Sequence, residues 1–175
     1  DDSVAKAFDK VAGELGHLDV VVHSIAFANR EDLGGPFMET GREGFRLALD
    51  ISAYSLVSIA RHAHPLMSEQ GGSMVALTFQ ASTRVFPGYN VMGTAKAALE
   101  NEVRQLAAEY GNRNIRVNAI SAGPVKTIAA SGIAGFTRIL QQYRERAPLR
   151  RNVEVSEIAE AAVFLLSPAG RAVTA

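Results

Sequence analysis

The sequence predicts an α/β fold in which a doubly wound parallel sheet lies between two helix layers, three-layer α/β/α in outline. Two observations lead there. Helix-period and strand-like segments alternate along the 175 residues, the pattern of strands joined by crossover helices. The first strand-like run is short and β-branched, as expected of a buried parallel strand. Apolar residues make up 47% and charged residues 21% of the chain, enough for the core of one domain spanning 1–175.

The elements follow in order. Val4, Ala5, Phe8, Val11, Ala12 and Leu15 recur at helical spacing, with Asp2 or Ser3 as N-cap and Gly16 as the stop. Residues 18–23 are a β-branched run that predicts the first strand. Loop residues extend from Asn29 to Pro36, and a long helical stretch covers about 41–67. The Gly71-Gly72 pair breaks it before a second strand at 73–79. Residues 81–88 predict a loop, and 89–110 a helix with a Glu100–Arg104 pair on its polar face. A turn at 111–114 leads to a third strand at 115–120. Residues 121–148 mix Gly, Ala and Pro with weakly periodic apolar positions, which predicts a mobile loop with short helices. Ser156 is placed to cap a last helix through Leu166.

Composition narrows the function. Eighteen basic and eighteen acidic residues balance, and no basic block points to nucleic acid or an anionic membrane. The chain has no cysteine, hence no disulfide framework and no thiolate nucleophile or metal ligand, which fits a reducing cytoplasm. No apolar run has the length of a bilayer span, and no signal-peptide pattern precedes the first helix. The sequence opens on Asp1-Asp2-Ser3 without a methionine and reads as a cut chain.

Tyr89 and Lys96 carry the chemistry. Seven residues are about two helical turns, which predicts both side chains on one face of the third helix, roughly 10 Å apart along its axis. A tyrosine of ordinary pKa near 10 stays protonated at neutral pH and can donate to a developing oxyanion. Ligands of parallel α/β sheets bind beyond the strands' C-terminal ends, and Tyr89 and Lys96 follow the second of these. His17, His23, His62 and His64 form no metal-ligand pattern, and His62 and His64 do not share a helical face. No metal site is expected. Ser24 and Ser121 lack a nucleophile elbow.

Three blocks, LDVVVHSIAFA at 18–28, PGYNVMGTAKAALE at 87–100 and RVNAISAGPVKT at 116–127, closely resemble the bacterial NADH-dependent enoyl-acyl-carrier-protein reductases. These form the divergent branch of the short-chain dehydrogenase/reductases. The resemblance covers nearly the whole chain and implies a Rossmann-like sheet and the reduction of a trans-2-enoyl thioester in type II fatty-acid synthesis. Hydride passes from NADH (NADPH less favoured) to the β-carbon, and charge gathers on the thioester oxygen. By resemblance Tyr89 hydrogen-bonds that oxygen, and Lys96 holds the nicotinamide ribose. Ser24, Ile25 and Ala26 let the backbone approach the cofactor. Leu77, Thr78, Ala122, Gly123, Pro124, Val125, Thr127, Ile128 and Ala129 complete the cofactor side. Ala28, Phe79, Tyr89, Met92, Ala129, Ala130, Ile133 and Phe136 make the apolar acyl slot, with residues 124–148 as its lid. The implied partners are an acyl carrier protein bearing the enoyl thioester and further copies of the chain, a homotetramer in the cytoplasm.

Two departures from the family pattern stand out. Many members carry a second tyrosine ten positions before the first, where this chain has Phe79, so the oxygen contact falls to Tyr89 alone and Phe79 shapes the slot. The family's first strand, its Gly-rich phosphate loop and its closing strand have no counterpart in residues 1–175. These residues alone are therefore expected to bind NADH weakly or not at all and to expose 18–23 as an unpaired edge. Two rival readings stay open. A 3-oxoacyl-acyl-carrier-protein reductase, or another dehydrogenase of the larger branch, would place its tyrosine four residues before the lysine, where Met92 stands. A non-catalytic module would only associate through its long helices.

Overall fold

In the computed structural model, which describes residues 2–67, 71–127 and 136–175, the alternation predicted above is realised. Strands β1 (Val20–His23), β2 (Gly72–Thr78) and β3 (Ile115–Ser121) form one parallel sheet in that order. Register pairs His23 with Ala76 and Thr78 with Ser121, so the three C-terminal ends open on the same edge. Helix α1 (Asp2–Leu15) precedes β1. Helix α2 (Arg42–Leu49), a π-helical turn (Asp50–Tyr54) and α3 (Ser55–Met67) join β1 to β2. Helix α4 (Val91–Tyr110) joins β2 to β3, and α5 (Phe136–Arg146) and α6 (Val155–Leu166) follow. Among the described residues no helix is long and apolar enough to cross a membrane.

Strand side chains alternate between the two faces of the sheet. Met74, Ala76, Ile115 and Val117 join Leu56, Met67, Leu99 and Val103 of α3 and α4 in the main core. On the opposite face, Ser73 donates from Oγ to the Leu165 carbonyl of α6 at 3.0 Å, and Arg116 donates to the same oxygen at 2.6 Å. At β1 this second face is open: Val20 and Val22 are about half exposed, while Val21 packs on the core.

Several expectations from the sequence are corrected. The first strand starts two residues later, because the Leu18 N–H goes to the Leu66 carbonyl at the end of α3. The second strand stops at Thr78 and not at Phe79, where a short 3₁₀ turn (Gln80–Ser82) takes over. The stretch from 41 to 67 is interrupted by the π turn. Asp2 and Ser3 lie inside α1, and Gly16, at φ +73°, ends it as expected. Glu100 pairs with Thr78 and not with Arg104: Thr78 Oγ1 donates to its carboxylate at 2.7 Å. The region from 121 to 148 contains an eleven-residue helix, α5. Helix α6 is capped by Glu154, whose side chain and that of Glu157 satisfy each other's backbone N–H groups, so Ser156 lies inside the first turn.

The helix predicted from 89 starts at Val91. Gly88 and Asn90 have φ of +82° and +40°, a region a right-handed helix cannot pass through. Asn90 is held there by its own side chain, which donates to the Gly34 carbonyl at 2.6 Å. Tyr89 therefore projects from a turn before α4, and the two-turn geometry inferred from its spacing to Lys96 does not apply.

Candidate active site

Lys96 lies on the wrong face of α4 for an ordinary lysine. It shares the buried face with Val91, Met92, Ala95, Leu99 and Val103 and is only 6% exposed. Its Nζ donates to the Leu77 carbonyl at 2.8 Å. Burial lowers its pKa to about 8, opposed by the Glu100 carboxylate one turn on. An ammonium so placed costs stability, and core packing has no use for it. Its partner Leu77 stands one residue from Thr78, at the edge where the strands end.

Those ends open onto a cleft of about 490 Å³. Twelve of the residues predicted from sequence line it: Ala26, Ala28, Thr78, Phe79, Tyr89, Met92, Ala122, Gly123, Pro124, Val125, Thr127 and Phe136. Ser24 and Ile25 are exposed at the end of β1, and Leu77 and Lys96 meet each other beside the cleft; none of these four is part of its lining. Ile128, Ala129, Ala130 and Ile133 lie outside the described residues. The wall also includes Phe27, Arg30, Leu33, Phe86, Pro87 and Ile139, which sequence reasoning missed. Most of these sit in turns where no periodicity marks a face, and the signal available was that Phe27 and Pro87 fall within the 18–28 and 87–100 blocks.

Burial raises the pKa of Tyr89, so its hydroxyl keeps its proton through neutral pH and can only donate to an anionic oxygen. Phe79 meets the Tyr89 ring edge-on, with centroids 5.2 Å apart and planes at 67°. That contact gives Phe79 an observed place: it steadies the tyrosine ring and supplies no second donor.

A second polar cluster supports the loop after β1. His23 is 1% exposed and its Nε2 lies 2.8 Å from Ser55 Oγ. Ser55 gives its own proton to the Ile51 carbonyl at 2.6 Å, so the imidazole proton sits on Nε2, and the buried Nδ1 has no hydrogen-bond partner among the described residues. Ser52, fully buried in the π turn, accepts from the Phe27 N–H at 2.9 Å and lies 3.0 Å from the Phe27 carbonyl. The loop carrying Ala26 and Ala28 is thereby fastened to the helix behind it. Sequence reasoning set His23 aside with the other histidines; its place at the end of a buried strand was the available signal.

Burial, then the charge of Lys96, lowers the pKa of His23 to about 4. Between the ordinary value near 6.5 and about 4, the unfolded chain binds more protons than the folded one. The stabilisation that neutral His23 supplies is therefore complete above about 6.5 and is lost as pH falls toward 4. His23→Gln is expected to flatten that part of the curve of urea midpoint against pH. An unchanged acid slope would show that His23 does not govern it.

Comparison with known proteins gives a single answer. A family described as enoyl-(acyl carrier protein) reductase matches residues 1–175. The chain is 52% identical to the enoyl-[acyl-carrier-protein] reductase [NADPH] FabI of Staphylococcus aureus (strain MRSA252), over 99% of this chain and 68% of that protein. It is 47% identical to the corresponding [NADH] FabI of Nostoc sp. (strain PCC 7120), over 99% of this chain and 67% of that one. The crystal structure of the Bacillus cereus enoyl-acyl carrier protein reductase with NADP+ and indole naphthyridinone superimposes with a TM-score of 0.96 at 48% identity, again over 99% of this chain and 67% of that one. The chain thus spans about two thirds of the length of these relatives.

Proposed function

This chain belongs to the enoyl-(acyl carrier protein) reductase family, and from that premise we propose that Tyr89 and Lys96 serve the NADH-dependent reduction of a trans-2-enoyl thioester in the cleft at the strand ends. The reaction class follows from the family: an enoyl group carried on acyl carrier protein is reduced with a nicotinamide donor in fatty-acid synthesis. The observation that carries the site assignment is Lys96, an ammonium on a core face with one carbonyl partner, beside a cleft bordered by a buried, protonated tyrosine.

The residues fit the cofactor. An ammonium has three N–H donors and Leu77 takes one, so Lys96 can hold a ribose diol with the others. Ala26 and Ala122 offer the cleft wall no side chain larger than a methyl group. When bound, the reduced nicotinamide supplies the hydride that the β-carbon accepts. Tyr89 then donates its hydrogen bond to the thioester oxygen as charge develops there, the type of contact that lowers a barrier most, and a proton taken up at the α-carbon from solvent completes the reduction. Ala28, Met92 and Phe136 offer an apolar wall to the acyl chain. Lys96 adds positive charge on the same side.

NADH is favoured by the resemblance of the three sequence blocks, although named relatives include both [NADH] and [NADPH] enzymes. The same reading includes a homotetramer working in the cytoplasm. The keto-reductase and non-catalytic alternatives draw no support from the matched family or from these relatives. The decisive assay uses a form of the enzyme that spans the whole length of these relatives and offers it crotonyl and acetoacetyl thioesters separately, each with NADH and then with NADPH. The expected result is oxidation of NADH with crotonyl thioester; turnover of the keto substrate alone would overturn the reading.

A further inference from the structure

Among the described residues, one contact that holds helix α5 to the molecule is specific. None of its eleven residues is buried, so little apolar area fastens it. On one face, at helical spacing, lie Phe136, Ile139 and Tyr143. The first two line the cleft. The third donates its hydroxyl proton to Gln80 Oε1 at 2.9 Å, across 63 residues of sequence. The Tyr143 ring also stacks on Phe86, with centroids 6.4 Å apart and planes at 21°. Phe86 leans on Phe79 at 4.8 Å, and Phe79 in turn meets Tyr89. A chain of four rings therefore runs from α5 to the tyrosine at the cleft, closed at its outer end by one hydrogen bond.

We propose that Tyr143 and Gln80 form a latch that fixes the α5 wall of the acyl slot and so sets the preference for long acyl chains. Tyr143 is a positioning residue: it touches neither the reacting atoms nor the slot itself. It helps determine where Phe136 and Ile139 stand, because they share its helix face and no residue of the helix is fully buried. A four-carbon acyl group ends close to the reacting double bond and gains little from that wall. A twelve-carbon chain must lie along the slot, and its binding depends on the wall being in place. The inference rests on the enoyl-thioester reading of the cleft.

The test is a double-mutant cycle on the enzyme with crotonyl and dodecenoyl thioesters. Tyr143→Phe keeps the ring and removes the donor; Gln80→Leu keeps the bulk and removes the acceptor; Gln80→Glu keeps an acceptor. Loss of one such hydrogen bond is expected to raise KM for the dodecenoyl substrate by about three- to tenfold, with kcat and the crotonyl KM within about twofold. The double variant should be no worse than either single one, and Gln80→Glu should stay close to the unaltered enzyme. A dodecenoyl KM unchanged in both single variants, an equal rise for both substrates, or multiplicative effects in the double variant would each overturn the latch. Failure of the unaltered enzyme to reduce either thioester would overturn the underlying reading instead, and is seen in the first arm of the experiment.

Discussion

Tyr89→Phe is expected to lower kcat for enoyl-thioester reduction by about 10²–10³-fold, with KM changed by no more than a few-fold. The magnitude is that of losing one preorganised donor to a developing oxyanion. The split follows because the bond strengthens as charge develops and contributes little to ground-state binding. The substitution is small structurally: Phe79 meets the ring edge-on at 5.2 Å, and a phenyl group preserves that contact. No second phenol stands at the family's alternative position, since Phe79 occupies it, so no neighbour can take over. Because burial raises the pKa of Tyr89, its protonation should cause no fall in rate across neutral pH. Steady-state kinetics of the two proteins decide the matter; a loss of less than about tenfold would remove Tyr89 from the chemistry.

Lys96→Met is expected to weaken nicotinamide binding by about 10–100-fold, the loss of charge-assisted hydrogen bonds to a ribose, and to change the pH dependence of stability. Burial lowers the pKa of Lys96 to about 8, below the usual value near 10.5. Between those values the unfolded chain binds more protons than the folded one, so stability rises with pH through that window. Below about pH 8 the full cost of burying the charge applies and does not vary with pH. Methionine has no such slope, so urea midpoints of the variant should lack the rise between pH 8 and 10.5. The unaltered enzyme should also lose kcat/KM above about pH 8 as the ammonium deprotonates. Retained nicotinamide affinity in the variant, followed by fluorescence titration, would refute the assigned role.

The parts legible in the sequence were those specified locally. The strands read at 18–23, 73–79 and 115–120 fall within two residues of the observed ends, the first as a β-branched run and the others as short segments between breakers or turns, and parallel alternation places a cleft at their ends. Lys96 was legible by its spacing from Tyr89 and by resemblance; the structure adds that it falls in phase with the buried Met92, Leu99 and Val103. What could not be seen depends on partners far along the chain. Tyr89 leaves the helix because Asn90 is held at positive φ by Gly34, 56 residues earlier. Glu100 looks like a partner for Arg104 until the fold sets it against Thr78. His23 gains its fixed tautomer from Ser55, 32 residues on, and α5 gains its attachment from Gln80. No short window of sequence contains both members of any of these pairs.

The π turn at Asp50–Tyr54 sets the phase of the helix that follows it. Inward positions from Gly44 through Ala48, Ser52, Leu56 and Ala60 advance by fours. On an unbroken α-helix each such step overshoots a turn by about 40°, and four steps would carry Ala60 about 160° round the axis from Gly44. The wider turn absorbs one residue, about 100° of that drift, and the remainder fits within an ordinary apolar stripe. The segment is therefore two helical reading frames joined by a one-residue correction. Removing one residue between 50 and 54 would leave every other side chain chemically intact and rotate Leu56, Ala60, Ala63 and Met67 away from the sheet. At this point in the chain the number of residues is constrained more tightly than their identity.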